Sequence, residues 1–237
     1  MSAFKKTVSA VAVCAALLVS SQAMAAKDVT LKVSGTIAPA ACDPVLSGNG
    51  EVAFGSMSTS VIANAPAGNS LVQLGSKNIT LTITCEAAAT VGFKMTDNRA
   101  TSVVPLSQTA YITGAGMDGS NMDQTYFGFG LGKAANGANI GAYTVVVDSS
   151  ATKADGASVS VITMDDANGV WVEKSVQGQV NSGTRVMTVA AKGAAIPKLF
   201  TELTMPLKIS AGVQTTSVLG GDSITLDGNA TLSMVYL

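Results

Sequence analysis

Two cysteines carry the clearest chemistry in this 237-residue sequence. Cys42 and Cys85 remain once the N-terminal stretch that contains Cys14 is set aside as an export signal, for the reasons given below. An even pair of cysteines in an exported chain predicts a disulfide, formed in an oxidising compartment such as a periplasm. Two unpaired thiols are the alternative interpretation. A metal site is disfavoured because no third or fourth soft ligand accompanies the two thiolates.

Histidine is absent from the whole sequence. Its absence excludes Ser-His-Asp and Cys-His catalytic systems and every metal site with a histidine ligand. Carboxylates remain as a conceivable acid and base, as in glycoside hydrolysis. Asp165 and Asp166 are poor candidates because neighbouring strand residues point to opposite faces, and Asp-Asp-Ala-Asn-Gly is typical of a turn. We therefore predict that the protein is not an enzyme and needs no cofactor or metal.

Two glycine motifs could be mistaken for binding or catalytic loops. A phosphate-binding turn lies between a strand and a helix. The stretch from Gly128 to Gly132 instead sits among alternating aromatic and apolar residues, which favours a strand whose small residues let another element approach closely. Gly221-Asp222-Ser223 is similar to a hydrolase nucleophile motif, but no histidine can act as its base, so we interpret it as a loop.

Residues 1–25 are typical of a signal peptide. Lys5 and Lys6 precede an apolar stretch at 8–19, which is too short for a bilayer that needs about 20 residues. Ala23-Met24-Ala25 is a typical cleavage site, so we expect the mature chain to begin at Ala26 and to reach the cell surface or medium through the periplasm. Cleavage removes two of 14 basic and none of 15 acidic residues. The resulting negative charge, without a basic patch, argues against nucleic-acid and anionic-membrane partners.

Alternating strands predict an all-β chain. The row Ile79, Leu81, Ile83 and Cys85 faces one way, as in a strand with one buried face. Many short strands separated by turns favour one immunoglobulin-like β-sandwich domain over residues 39–237. Further strands are predicted at 51–54, 91–96, 103–106, 126–131, 143–147, 159–164, 170–172, 186–190, 204–209 and 224–226, and loops at 58–69 and 114–122.

The two ends of the predicted mature chain are also alternating strands. Near the N-terminus the apolar row is Val29, Leu31, Val33 and Ile37, with Gly35 as its one small member. At the C-terminus the row is Leu232, Met234 and Tyr236, followed by Leu237. Strands at both ends leave two candidate sheet edges. Because an open edge can pair with a strand of another chain, these edges indicate a role in assembly rather than in catalysis.

Several stretches resemble chaperone–usher fimbrial subunits, or pilins. Gly35-Thr-Ile37 with Ala41-Cys42 resembles the segment before the first pilin cysteine, Leu81-Thr-Ile-Thr-Cys85 the strand of the second, and Ala230 to Leu237 the pilin end. Other stretches are similar to a fimbrial-like branch that includes the F protein of a bacterial glutamate-synthase operon. These are Leu71-Val-Gln-Leu-Gly-Ser-Lys-Asn78, Asp97-Asn-Arg99, Phe129-Gly-Leu-Gly132 and Leu226-Asp-Gly-Asn-Ala-Thr231.

The resemblance implies an incomplete immunoglobulin-like sandwich with an N-terminal donor-strand extension at residues 26–38. A periplasmic chaperone would fill the gap first, and the extension of the next subunit would replace it at an outer-membrane usher. The donor side chains would be Val29, Leu31, Val33 and Ile37, with Gly35 at a shallow point of the groove. The acceptor and chaperone-binding strand would contain Leu232, Met234, Tyr236 and Leu237, the last through its carboxylate.

The resemblance thus predicts a structural subunit of a cell-surface fimbrium. A mature chain of about 212 residues exceeds a typical polymerising pilin, and we place the excess between about 114 and 200. One alternative is a secreted adhesin that binds a host glycan or surface receptor, where Trp171 could stack on a sugar. Another is a monomer whose own N-terminal strand fills its groove.

Overall fold

The computed structural model describes residues 29–38, 40–165 and 169–237. The chain divides into two units after Ile37, next to the predicted end of the extension at residue 38. In the first unit, the described residues 29–37 belong to no strand or helix. Their large apolar side chains are almost fully exposed, from 86% for Leu31 to 102% for Ile37. The predicted signal peptide lies outside the described residues.

The second unit is almost entirely β-structure. Its only α-helix in the described part is the single turn Thr216–Leu219, and four 3₁₀ turns lie at Ser47–Gly50, Thr59–Ile62, Ala100–Ser102 and Thr125–Phe127. The strands are Cys42–Leu46 (β1), Val72–Ala89 (β2), Val91–Asp97 (β3), Phe129–Gly130 (β4), Gly141–Val147 (β5), Lys153–Ala154 (β6), Ala157–Ser158 (β7), Ser160–Asp165 (β8), Arg185–Ala190 (β9), Phe200–Val213 (β10) and Ala230–Tyr236 (β11).

These strands form two antiparallel sheets, which confirms the prediction of an all-β sandwich. The first sheet has the order β1-β2-β10-β5-β4, with β6 paired to β10 and β7 paired to β6. The second has the order β11-β3-β9-β8. The C-terminal strand β11 therefore lies at a sheet edge, and β1 lies at the edge of the other sheet.

The main core lies between the inner faces of the sheets. On β2 the alternate residues Ile79, Leu81, Ile83 and Cys85 are all buried, as their spacing predicts. They pack in one cluster with Phe93 of β3 and with apolar residues of β5, β9 and β10. Strand alternation places successive side chains on opposite faces, so one apolar row per strand suffices for a core.

A second, smaller core covers the other face of the first sheet. On β5, Tyr143, Val145 and Val147 belong to the main cluster, whereas Ala142 and Val146 belong to the second. Irregular segments supply the rest of that second cluster, including Ile112, Met122 and Phe127. Because both faces of β5 are buried, its seven residues are buried without alternation.

Several predicted short strands are wrong. Residues 51–54 and 224–226 form no strand, and 103–106 and 170–172 contribute only isolated bridges at Val103 and Val172. A strand also requires a neighbouring backbone to pair with, which local alternation does not reveal. The strand predicted near the N-terminus, at residues 28–37, is also not observed. Its described part, residues 29–37, belongs to no strand.

Candidate functional site

A groove of about 810 Å³ opens in the second unit beside the start of β11. Residues 50–59 form one wall, and residues 223–226 and 228–230 form the other together with Leu232. The walls come from distant parts of the sequence, the first following β1 and the second leading into β11. The groove therefore lies at the seam between an edge of one sheet and an edge of the other.

The floor of the groove is the main core itself. It contains Met95 of β3, Tyr143 and Val145 of β5, and Leu207 and Ile209 of β10. All five are among the buried residues of the main cluster. The groove therefore reaches down to apolar residues of both sheets, which form its bottom.

The walls carry backbone groups with free hydrogen-bonding capacity. In the described chain, residues 52–57 and 223–226 belong to no strand, and their backbone groups take part in no hydrogen bond. Val52 and Phe54 nevertheless pack against the core, which fixes the first wall through side chains rather than through pairing. Unpaired N–H and C=O groups along an extended segment are the groups that an added strand would pair with.

The C-terminal strand pairs along only one of its edges. The register runs from Ala230 opposite Asp97 to Tyr236 opposite Val91, and no other strand of the described chain pairs with β11. Leu232 lines the groove, whereas Met234 packs against the core beyond the groove. Of the predicted acceptor residues, the structure thus brings Leu232 to the groove.

The end of β11 is attached to the neighbouring sheet. The Tyr236 hydroxyl accepts a hydrogen bond of 3.0 Å from the backbone N–H of Cys42, the first residue of β1. The backbone N–H of Leu237 donates to the carbonyl of Thr90 over 3.0 Å. The first bond joins β11 to β1 and the second joins the chain end to the β2–β3 connection, both at the end remote from the open groove.

The start of β11 is held by a turn after β3. The buried Asp97 carboxylate accepts 2.8 Å hydrogen bonds from the backbone N–H groups of Arg99 and Gly130. Arg99 pairs with Asp227 over 2.7 Å, and the backbone N–H of Asn98 donates to the Asn229 carbonyl over 3.0 Å. A Cβ atom on Gly130 would collide with the Arg99 carbonyl, which confirms the predicted close approach at this glycine.

The electrostatic character of the groove is close to neutral. Glu51 is the one charged side chain among the described residues that line it. Burial, reinforced by the Asp97 carboxylate, raises the pKa of Tyr143, so this phenol stays protonated at physiological pH. A floor of apolar groups and a neutral phenol suits an apolar occupant rather than an ion.

The other predicted residues are placed as follows. Cys42 and Cys85 form the predicted disulfide and stand directly opposite each other in the β1–β2 register. Asp165 forms ion pairs with Lys174 and Arg185. Asp166, the other carboxylate considered for catalysis, lies outside the described residues. Trp171 is half-buried. The described residues contain no group of three potential metal ligands and no helix long and apolar enough to cross a membrane.

The two groove walls are the candidate functional segments that sequence reasoning missed. Residues 51–54 and 224–226 were predicted as ordinary strands because their residue types suit strands. The signal that could have found them is the pair of short apolar runs flanked by glycines, Gly50 to Gly55 and Gly221 to Gly228, without a neighbouring hairpin turn to supply a partner.

Fold and groove together define a class of protein: an all-β sandwich with an open, apolar-floored groove beside its C-terminal edge strand. The chain belongs to the family described as "Protein of unknown function (DUF1120)", which matches residues 31–144. "Protein GltF" of Escherichia coli (strain K12) is 38% identical over 99% of both chains. "Uncharacterized protein YhcF" of the same strain is 31% identical over 91% of this chain and 93% of that protein. Neither name mentions fimbriae, so membership in a chaperone–usher system stays a prediction.

Proposed function

We propose that this protein is a structural subunit of a chaperone–usher fimbrium and polymerises by donor-strand exchange. The observation that carries the proposal is the groove, whose floor is the sandwich core and whose walls have unpaired backbone groups. A strand added there would form backbone hydrogen bonds and fill the apolar floor with alternate side chains. The occupant in the assembled fibre is the N-terminal extension of another copy.

The N-terminal extension has the chemistry that such a groove requires. Val29, Leu31, Val33 and Ile37 stand at alternating positions and are 86–102% exposed in the described segment. Burying these four side chains would contribute about 6–12 kcal/mol at roughly 1.5–3 kcal/mol each. Association costs about 4–15 kcal/mol, so apolar burial alone only offsets this cost. Backbone pairing with the walls then supplies the net affinity.

Export precedes assembly in this proposal. Residues 1–25 direct the chain to the periplasm, where a chaperone covers the groove and holds the Leu237 carboxylate. An outer-membrane usher then exchanges the chaperone strand for the extension of the next subunit. Free edges with apolar floors invite aggregation, which is the physical reason for a chaperone at this stage.

A peptide-binding experiment tests the proposal. A fluorescent peptide with the sequence of residues 28–38 is added to the purified mature chain, and fluorescence anisotropy reports binding. The matched control peptide carries Val33→Asp, which keeps the length but places a charge against the apolar floor. We expect the unmodified peptide to bind and the control to bind at least about 100-fold more weakly, since burying an unpaired charge is costly.

Two results would contradict donor-strand exchange. Equal binding of both peptides would show that the groove does not select for the apolar side chains of the extension. A mature chain that stays monomeric and binds neither peptide would favour the self-sufficient monomer. Binding to a glycan array that Trp171→Ala abolishes would favour the adhesin.

A further inference from the structure

The groove has one wall whose position depends on a small polar cluster. Residues 223–226 make no backbone hydrogen bonds in the described chain, yet they line the groove together with Gly228 and Asn229. Ile224 and Leu226 pack against the main core, and the polar contacts that hold this wall act at its junction with β11. Asp97, Asn98, Arg99, Asp227 and Asn229 meet at that junction, and we call these five residues the latch.

The latch begins with a carboxylate that shapes the turn after β3. Asp97 is 6% exposed and accepts the backbone N–H of Arg99 over 2.8 Å. It also accepts the backbone N–H of Gly130 over 2.8 Å, which brings β4 against the turn. These two charge-assisted bonds fix the backbone of the turn, and with it the positions from which the Asn98 and Arg99 side chains extend.

Arg99 and Asn98 then hold the wall. The Arg99 guanidinium lies 2.7 Å from the Asp227 carboxylate and donates to the Asp227 carbonyl over 3.2 Å. The Asn98 side chain donates to the Asn229 side-chain oxygen and, over 2.9 Å, to the Thr231 hydroxyl. From the other side, the backbone N–H of Asp227 donates to the carbonyl of Leu131 over 2.9 Å. Residue 227 is therefore held from two directions.

The latch joins three stretches that the sequence alone leaves separate. Asp97-Asn-Arg99, Phe129-Gly-Leu-Gly132 and Leu226-Asp-Gly-Asn-Ala-Thr231 are distant in the chain and contact one another here. A Cβ atom on Gly132 would lie 3.2 Å from the Cβ atom of Asp227, and one on Gly228 would lie 2.9 Å from the Tyr143 ring. The lack of a side chain at Gly132 and Gly228 thus allows the close approach of the three stretches on which the polar contacts of the latch depend.

We infer that the latch sets the position of the 223–229 wall and thereby controls how slowly a bound strand leaves the groove. This inference rests on the proposed function. Arg99 and Asp227 are positioning residues, because neither lines the groove. A wall that moves when the latch is broken would separate from the backbone of the occupant and release it faster.

The test compares two ion pairs of similar exposure. Arg99 and Asp227 are 41% and 58% exposed, and Lys198 and Asp155, which pair at the β6–β7 turn, are 36% and 39% exposed. Arg99→Gln and Lys198→Gln remove the same charge, but only the first change touches the latch. Dissociation of the labelled peptide of residues 28–38 is measured for both variants and the wild-type chain.

We expect Arg99→Gln to speed peptide dissociation by about three- to five-fold, the size typical of an exposed pair, and Lys198→Gln to leave it unchanged. Asp227→Asn added to Arg99→Gln should have no further effect, because Arg99→Gln has already removed the ion pair. Amide exchange at Asp227 should rise in Arg99→Gln only, a local readout that general destabilisation would not produce.

Each outcome decides between the claims. Equal dissociation rates for Arg99→Gln and Lys198→Gln would overturn the latch while leaving the proposed function intact. Faster dissociation from Arg99→Gln without faster exchange of the Asp227 amide would show that the variant does not act by moving the wall, and would overturn the inference. Failure of the wild-type chain to bind the peptide would overturn the proposed function, and the inference with it.

Discussion

The disulfide at the edge of the first sheet offers a prediction that is independent of function. Cys42 and Cys85 lie opposite each other in the β1–β2 register and are separated by 43 residues. β1 pairs only with β2 among the described strands, so the bridge ties down an edge strand. The change is the double variant Cys42→Ser with Cys85→Ser.

The expected cost follows from the length of the loop that the bridge closes. Cross-linking residues 43 apart restricts the unfolded chain, and the loop-entropy relation assigns this restriction about 4 kcal/mol. For a domain of about 200 residues, 1 kcal/mol shifts the melting temperature by about 2–4 °C. The variant should therefore melt about 8–16 °C below the oxidised wild-type protein.

Thermal unfolding followed by circular dichroism measures this shift. The wild-type protein treated with a reducing agent is the matched control, and it should melt with the variant. Hydrogen exchange should also accelerate in Cys42–Leu46 more than elsewhere, because an edge strand opens first. Melting temperatures of variant and oxidised wild type within about 2 °C of each other would refute the loop-entropy reasoning for this bridge.

Three further predictions concern single residues. Hydrogen bonds from Arg185 hold the pKa of Asp165 at about 2, below its ordinary 3.8, so its stabilising contribution is present above about pH 4 and is lost as the pH falls through 2. Urea unfolding should show that Asp165→Asn costs about 1–2 kcal/mol at pH 7, after allowance for exposure of a third of the side chain, and little at pH 2. Tyr236→Phe removes the acceptor for the Cys42 N–H, and amide exchange at that residue should rise by about two- to five-fold. Phe93→Ala empties a fully buried position and should cost about 3–5 kcal/mol in urea unfolding, and a loss under 1 kcal/mol would contradict its place in the core.

The main strands could be predicted because their own residues encode them. In β2, alternation from Ile79 to Cys85 identifies the buried face before any partner is known, and the structure confirms it. The disulfide was also predictable, since two cysteines in a chain that is predicted to be exported have one partner each. For β5, alternation does not identify a buried face. All of its residues are buried, because a second core covers its other face.

The groove could not be predicted in the same way. Its walls near Phe54 and Ile224 have residue types that suit strands, and they were predicted as strands. Whether such a segment pairs depends on which backbone lies beside it, and that depends on contacts between residues far apart in sequence. The latch has the same origin, because Arg99 and Asp227 become neighbours only when β11 pairs with β3.

Local sequence pattern was therefore sufficient for the all-β class, the buried rows of the long strands and the Cys42–Cys85 bridge. These features depend on residue type and on a period of two along one strand. The open seam beside β11, its unpaired walls and the polar junction that holds one of them arose only from the pairing of distant segments. Hydrogen bonds between strands are not local to either strand, so the folded chain alone decides which edges are covered and which are left open.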